Sequence, residues 1–397
     1  MTNPSVIRIG IVHHLAFEFY PPAENLLTYL SQQPSVHTLL ITTPADDGGK
    51  KVAQEAESRK VGNSSVLRLP GPNRRNRSLA RFWKTLVWHM RAAAALYSHR
   101  PDLVLAVETH SALAVWFYRV LFRGRAQLVI QHYEYTSQPE YHRVGNRLLR
   151  LNRFFEQRLF SVARRVTQTN PDRLRLFQAE NPALHADQLA VWPNYPPAAW
   201  AASVAPVFPH DPGGRLRLVF VGAVSLRDTW IGPLAEWISC SGQKHCSLDV
   251  YASRCDEETA EFLRRCEGPH LRVHSGGVAY RTLPQLLRKY DVGLILYRGN
   301  TLNFVWNETN KLFEYLSCGL DVWFPDCMKS VARRARSDVA PRILETDFAT
   351  LSELDLSARS NRSHLTWKPW TTGCDDVFAE ILGPFLTSNA KSAGGDH

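Results

Sequence analysis

Short apolar runs rich in β-branched residues recur along this chain with helix-length segments between them, and that alternation most constrains its fold. The runs fall at residues 6–12, 36–42, 103–107, 127–131 and 165–168, and again at 216–221, 247–252, 271–274 and 290–295. Runs that stay apolar are strands buried on both faces, as parallel strands are when helices cover them. Helical patterns at 23–32, 78–99 and 112–122, and later at 257–266 and 278–289, fill the gaps. The chain therefore reads as doubly wound α/β. At 397 residues and 44% hydrophobic content it is too long for one core and long enough for two. A stretch rich in Pro, Ala and Gly at 196–214 is the natural joint, which predicts domains at 1–196 and 215–372 around a linker at 197–214. Residues 43–77, polar and ending in Pro72-Asn73-Arg74-Arg75-Asn76-Arg77, read as a loop. Residues 141–176 read as a long, arginine-rich helical region with Glu156 among apolar positions, leading into the strand at 165–168. The last residues, 389–397, read as a disordered tail.

Three strands are followed at once by polar groups: His13-His14, Glu108-Thr109-His110 and His132-Tyr133-Glu134. In such sheets ligands bind outside the carboxyl ends of the strands, so the topology brings these groups together. The net charge of +10 calls for an anionic partner, which could be nucleic acid, a membrane surface or a phosphorylated substrate. No recognisable RNA or DNA module accompanies the basic residues, which argues against nucleic acid. The pattern at 78–99 mixes Trp83, Leu86, Val87, Trp88 and Met90 with Arg81, Lys84 and Arg91. It suits a membrane interface as well as a helix packed on a sheet with a solvated basic face. Neither G-x-G-x-x-G nor G-x-x-x-x-G-K-[ST] occurs, which speaks against dinucleotide and P-loop chemistry. The seven cysteines all lie in the second half without metal-like spacing, as reduced thiols of a cytosolic protein would. The N-terminus enters an apolar strand without a signal-peptide pattern, and no apolar stretch is long enough for a membrane span.

The densest chemistry lies at Asn310-Lys311-Leu312-Phe313-Glu314-Tyr315-Leu316-Ser317-Cys318-Gly319. Thr309 is a candidate helix cap, Gly319 a stop, and an apolar strand resumes at 320–324. Lys311 falls in the first turn, where the helix dipole disfavours a cation by roughly 0.3–1 kcal/mol. A phosphate at the helix N-terminus, shared by the free N–H groups and the ammonium, reverses that sign. Glu314 lies one turn on, and its carboxylate can accept two hydrogen bonds from a vicinal diol such as a ribose. Phosphate at one turn and ribose at the next describe a nucleoside diphosphate laid along a helix. The competing reading is a solvated i,i+3 ion pair.

This string resembles the P-N-K-x-F-E-Y-x-A-x-G-x-P-V signature of GT-B glycosyltransferases, the group 1 or family 4-like enzymes that use nucleotide sugars. Thr309, Ser317 and Asp321 depart from it. The residues around it are similar too: Asp291-Val292-Gly293-Leu294 before it, Val191-Trp192-Pro193-Asn194 closing the first domain, and a helix at 373–388 like the family's element that crosses back to the first domain. The resemblance implies two Rossmann-like domains facing a central cleft, acceptor on the first and donor on the second. It implies that Glu314 holds the donor ribose and that Lys311, Asn310 and Thr309 serve the diphosphate. Arg227, after the Gly222 turn, falls close to a family cation on the diphosphate, and Tyr297 lines the donor cleft. The His132-Tyr133-Glu134 turn resembles the family's H-E loop, making His132 and Glu134, with Glu108, candidate catalytic residues; His13, His14 and His110 are acceptor-side candidates. Where the retaining branch carries a second Glu, eight residues before Glu314, this chain has Trp306, with Glu308 close by.

The expected activity is sugar transfer from a nucleotide diphosphate sugar to a hydroxyl of a glycan or lipid-linked glycan in surface polysaccharide or glycoconjugate synthesis, with retention slightly favoured over inversion. No cofactor is expected beyond that co-substrate. No D-x-D pair occurs, so metal independence is expected as well. The expected location is the cytoplasm, with peripheral association at the inner face of an anionic membrane. Two rivals share the fold: a nucleotide-sugar 2-epimerase, and a catalytically inactive GT-B partner protein.

Overall fold

The computed structural model describes residues 6–44, 58–71, 78–143, 147–201, 215–356 and 365–392. The chain divides into two compact units, residues 1–193 with 374–397, and residues 194–373. The first unit thus ends at Pro193 and not at residue 196. Of the expected linker, residues 202–214 lie outside the described residues.

The first unit carries β1 (Ile7–His13), α1 (Pro21–Ser31), β2 (Val36–Thr42), β3 (Ser58–Val61), β4 (Ser64–Arg68), α2 (Ser78–His99), β5 (Leu103–Val107), α3 (Ala112–Val120) and β6 (Gln127–Gln131). It continues with α4 (Gln138–Tyr141), α5 (Arg147–Leu159), β7 (Arg165–Gln168), α6 (Pro171–Glu180) and β8 (Leu189–Val191). The strands form one sheet in the order β3-β4-β2-β1-β5-β6-β7-β8, parallel except for β3. All five residues of β5 are buried, as a central parallel strand between helix layers requires. The order reverses between β1 and β5, so a crevice opens where His13 and Glu108 leave the sheet.

Two expectations are corrected in this unit. Residues 43–77 are not simply a loop, because β3 and β4 form a hairpin with Val61 opposite Ser64, closed by Gly62 and Asn63. Gly62 has φ +56°, the conformation such two-residue turns demand. The rest of that loop, 45–57 and 72–77, lies outside the described residues. The helical region at 141–176 is broken into α5 and α6 on either side of β7, which stands at the expected 165–168, while α4 ends at Tyr141. Asn170 caps α6 by accepting from the Arg173 N–H, and Pro171 follows at the first helical position.

The second unit carries β9 (Leu216–Val224), α7 (Ile231–Cys240), β10 (Cys246–Cys255), α8 (Glu257–Cys266), β11 (Leu271–Ser275), α9 (Leu283–Leu287), β12 (Val292–Leu294), α10 (Leu302–Val305) and α11 (Asn310–Ser317). Then come β13 (Asp321–Phe324), α12 (Lys329–Ala332), β14 (Val339–Ala340), β15 (Ile343–Glu345) and β16 (Thr366–Trp367). Its main sheet, β11-β10-β9-β12-β13-β15, is fully parallel and again reverses beside its first strand, between β9 and β12. The helix expected at 278–289 shrinks to α9, because the turn at 280–282 is a separate 3-10 helix and Pro284, which has no N–H to donate, stands in the first turn of α9. The final helix α13 (Cys374–Ser392) belongs to the first unit, where Phe378 packs on Tyr29 at 5.3 Å and Trp192 at 6.0 Å between ring centroids. It runs past residue 388 into the segment expected to be disordered, and residues 393–397 lie outside the described residues.

Candidate functional site

Helix α11 is buried on nearly every side: Leu312 through Ser317 are all inside. It stops in a Schellman motif, with Leu320 N–H donating to Tyr315 C=O and Gly319 N–H to Leu316 C=O. Gly319 supplies the φ of +84° that this closure needs. At the other end the expectation is corrected. Thr309 stands at the cap with extended backbone, but its side chain makes no cap hydrogen bond among the described residues; its carbonyl instead accepts from Leu312 N–H at 3.0 Å. The Tyr315 hydroxyl accepts from Val221 N–H at 3.4 Å, tying α11 to the carboxyl end of β9.

Lys311 reaches that same end of β9. A Cβ at Gly222 would stand 2.8 Å from its Cε and 2.9 Å from its Nζ, and Gly222 has φ +137°. Residue 222 thus has to be glycine for the ammonium to lie there. It lies inside β9, which runs two residues beyond it, instead of forming the expected turn. The Nζ donates to the Tyr297 hydroxyl at 3.2 Å and lies 5.8 Å from the centre of the Phe220 ring. Tyr297 stacks on Phe304 at 4.7 Å and bridges to Thr229. Arg227, 86% exposed, pairs with Asp228, and Asn300 donates to the Arg227 carbonyl and to Asp228. The structure therefore gathers Gly222, Tyr297, Lys311 and Glu314 around the reversal of the second sheet, with Arg227 on the loop beside Tyr297.

Glu314 is only 5% exposed, and among the described residues nothing hydrogen-bonds to its carboxylate. Burial pushes its pKa up to about 7, against a smaller downward pull from Lys311. Glu308 is different, because Arg334 grips both of its oxygens through Nε and Nη2. Trp306 lies 5.7 Å under the Arg333 guanidinium.

The polar groups of the first unit also sort by partner. His132 has both ring nitrogens engaged, Nδ1 with Thr167 C=O at 3.2 Å and Nε2 with Glu156 at 2.8 Å. Glu156 also accepts from Arg153 at 2.6 Å and Thr109 at 3.2 Å. Burial alone would raise the Glu156 pKa, but His132 and Arg153 overcome it and hold the group at about 2. For His132 burial pulls down, and Glu156 overcomes it to raise the pKa. A ring with no free nitrogen binds its carboxylate and cannot at the same time accept a proton from substrate. Sequence reasoning did not couple Glu156 to His132, since residues 24 apart on a strand end and a helix meet only in the fold.

Glu108 follows β5 with φ +63° and ψ +154°, a strained pairing for a residue with a side chain. Its Oε1 accepts from Tyr133 N–H at 2.7 Å and Glu134 N–H at 3.0 Å, while Oε2 has no partner among the described residues. Burial raises its pKa to about 7, with His132 and those two N–H groups opposing and Glu134 adding. Glu134 itself is half-exposed, with the buried Arg173 at 3.6 Å. His14 stacks on His89 at 5.2 Å and on His110 at 6.2 Å, and His13 meets Tyr20 edge-on at 4.7 Å. The ring nitrogens of His13, His14 and His89 are buried without hydrogen bonds among the described residues. His89, on the buried face of α2, was missed by the sequence reading because one histidine in a helix stripe gives no sign of two strand-end neighbours.

Seven carboxylates are buried among the described residues: Glu108, Glu156, Asp172, Asp291, Glu308, Glu314 and Asp321. Five of them pair with arginine, namely Glu156, Asp172, Asp291, Glu308 and Asp321. Glu108 and Glu314 do not, and each follows a strand bordering a sheet reversal: β5 directly for Glu108, β12 through α10 and into α11 for Glu314.

No family model and no curated protein matches the chain. Solved structures do match in fold. A lipopolysaccharide outer core galactosyltransferase, WaaB, is 11% identical with a TM-score of 0.56, covering 98% of this chain and 99% of its own. Alr3699/HepE from Anabaena in complex with UDP-glucose is 11% identical with a TM-score of 0.61, covering 97% and 100%. A putative UDP-N-acetylglucosamine 2-epimerase from Listeria monocytogenes is 13% identical with a TM-score of 0.59, covering 98% of each chain. The fold is that of the GT-B glycosyltransferases: two Rossmann-like α/β units with parallel sheets. Among the described residues no helix is long and apolar enough to cross a membrane.

Proposed function

We propose that the chain is a glycosyltransferase that moves a sugar from a nucleotide diphosphate sugar to a hydroxyl of a glycan or lipid-linked glycan acceptor. The observation that carries the reading is Glu314: a buried acid with a pKa near 7 and no hydrogen-bonding partner among the described residues, one turn from a lysine held at the end of β9 by Gly222. A ribose diol donating to that carboxylate offsets the cost of its burial, and Lys311 with the first-turn N–H groups of α11 meets the diphosphate. Asn310 and Thr309 present those N–H groups, and Arg227 adds charge from its loop. Neutralising the leaving diphosphate is the main electrostatic task in such a transfer, and these groups supply it from the protein. Alr3699/HepE, similar over nearly its whole length, binds UDP-glucose, which supports a sugar nucleotide as the ligand.

The first unit serves the acceptor in this reading. Glu108, with one oxygen clamped and one open, orients the acceptor hydroxyl, while His132 acts through Glu156 as a positioning group behind the Tyr133-Glu134 turn. Glu134 and the His13, His14 and His110 cluster flank it. Retention remains the stereochemical proposal. The departing diphosphate can take the acceptor proton on the face it leaves, so no carboxylate is needed at Trp306, and Glu308 stays with Arg334.

Titration with UDP, GDP and their sugar conjugates, with Glu314→Ala as the control, tests the reading. Binding of one of them at micromolar strength and its loss in the variant are expected. If Glu314→Ala binds every nucleotide as the parent does, the reading falls. A 2-epimerase has the same fold, and the similarity to one such structure over both chains keeps that activity as a second reading. Free epimerised sugar nucleotide, formed without any acceptor, would establish it in place of transfer.

A further inference from the structure

Helix α2 has two apolar faces, and the core of its unit uses one of them. Thr85, Trp88, His89, Ala92, Ala93 and Leu96 are buried at the spacing of a single helix face. Leu79, Trp83, Val87 and Tyr97 recur with the same period on the other side and are 70%, 56%, 53% and 54% exposed. Phe82 and Met90 are exposed beside them. The stripe continues past the helix, since Tyr97 stacks on Phe122 at 5.2 Å and Val120 and Leu121 are exposed next to that ring in sequence. Single exposed apolar residues need no explanation, but a stripe of this length marks a binding surface.

The charges on α2 itself have one sign, and the first acid after it, Asp102, accepts from Arg8 N–H at 2.8 Å. Between residues 78 and 101 there is no Asp or Glu, whereas Arg81, Lys84, Arg91 and Arg100 are all exposed. The backbone gives an independent sign. Arg100, directly after α2, and Arg123, directly after Phe122, both adopt φ +52°, where glycine sits at no cost and a side chain is disfavoured. An exposed arginine in this conformation thus follows directly after α2 and again three residues past the end of α3.

The geometry points to this face, α2 with the end of α3, as a docking surface for an anionic phospholipid bilayer. The helix would lie in the headgroup plane with its outer rings and aliphatic chains at the acyl boundary and its ammonium and guanidinium groups on lipid phosphates. A second copy of the same face would bury the stripe but set basic groups against basic groups, so charge complementarity selects the lipid. The inference deepens the lipid-linked acceptor in the proposed function, while the docking itself uses no nucleotide chemistry.

Co-sedimentation of the full chain with vesicles of pure phosphatidylcholine, and of phosphatidylcholine with an equal part of phosphatidylglycerol, tests it. Binding to the mixed vesicles only, weakened by salt, is expected. The pair Trp83→Ser and Val87→Ser should weaken binding by about tenfold or more, and Lys84→Glu with Arg91→Glu by about fivefold for each charge removed. All four side chains are exposed, so thermal unfolding and UDP binding should stay at the parent's level. The inference is overturned if neither vesicle carries the parent down, or if both variant pairs sediment like it. It is also overturned if light scattering finds a dimer that Trp83→Ser with Val87→Ser dissolves without any change in vesicle binding. UDP binding without sedimentation removes the docking alone; sedimentation without binding of any nucleotide removes the proposed function alone.

Discussion

Replacing Glu314 with glutamine should stabilise the second unit and disarm it together. Burial raises the Glu314 pKa from 4.5 to about 7 in the folded chain. Below about pH 4.5 the folded and unfolded states are both protonated and the group is neutral in its effect. Between about 4.5 and 7 the folded state keeps a proton that the unfolded state has lost, so stability falls as pH rises through that window and stays reduced above it. The shift is about 2.5 units, which at 1.36 kcal/mol per unit is on the order of 3 kcal/mol at pH 8. Glutamine keeps the shape without the charge and removes that penalty. At roughly 2–4 °C per kcal/mol for a unit of this size, the variant should melt about 6–12 °C higher than the parent at pH 8 and at the same temperature at pH 4.5. The comparison cancels Glu108, which titrates in the same range but is unchanged in both proteins. Nucleotide binding should run the other way. If a ribose diol requires the carboxylate, UDP affinity in the parent rises about tenfold from pH 6 to pH 8 as the free group ionises, and the glutamine variant binds weakly at both. Differential scanning at the two pH values, with and without UDP, reads both effects. A variant that melts below the parent at pH 8, or that keeps the parent's rise in UDP affinity, would refute the reasoning.

Gly222→Ala places a Cβ within 3 Å of the Lys311 side chain in a strained backbone conformation, and should lower UDP affinity by about tenfold or more by calorimetry while Glu314 stays in place. Glu156→Gln leaves Arg153 and His132 without their shared buried anion and should cost the first unit roughly 3–5 kcal/mol in urea unfolding. The parent's benefit from that carboxylate is present above its unfolded pKa and lost as pH falls toward about 2. The first unit should also lose stability as pH drops below 6.5, because the unfolded chain takes up protons that buried His13 and His89, held down to about 3, refuse. Each contributes about 1.4 kcal/mol per pH unit over that range, and His89→Phe should flatten the measured slope by one such share.

The two sheets were legible because uninterrupted apolar runs such as residues 103–107 can only be strands covered on both sides. The hairpin of β3 and β4 was not, since Ser58-Arg59-Lys60-Val61 and Ser64-Ser65-Val66 are polar at an edge; the Gly62-Asn63 pair between them was the usable signal. The positions of Lys311 and Glu314 followed from helix chemistry. What made them a site did not, for it depends on Gly222, ninety residues away, letting the ammonium reach β9. In the first unit the sequence offered His132, Glu134 and Glu108 as equals. Only tertiary contacts separate them, by filling both nitrogens of His132 and leaving one oxygen of Glu108 open.

That separation follows from how this chain spends its arginines. With 47 Lys and Arg against 37 Asp and Glu, cations are in excess, and a buried carboxylate can find one wherever the fold places its side chain toward a helix or loop that carries arginine. Five of the seven buried ones do, and in three of them, Asp291 with Arg217, Glu308 with Arg334 and Asp321 with Arg342, the pair holds together segments apart in the chain. Glu156, besides its arginine, joins α5 to the end of β6 through His132, and Asp321 joins β13 to the loop before β15 through Arg342. An arginine beside Glu314 would stabilise it equally well, but it would occupy the lone pairs that a diol must use. Lys311 avoids that conflict, because it pulls on Glu314 through space while its Nζ bonds to Tyr297. The same holds for Glu108, where two backbone N–H groups fix one oxygen and leave the other open. A buried acid kept from the surrounding arginines carries a destabilising charge near neutral pH. That cost is offset only when a ligand supplies the missing hydrogen bonds, and it arises in each unit at the point where the strand order reverses.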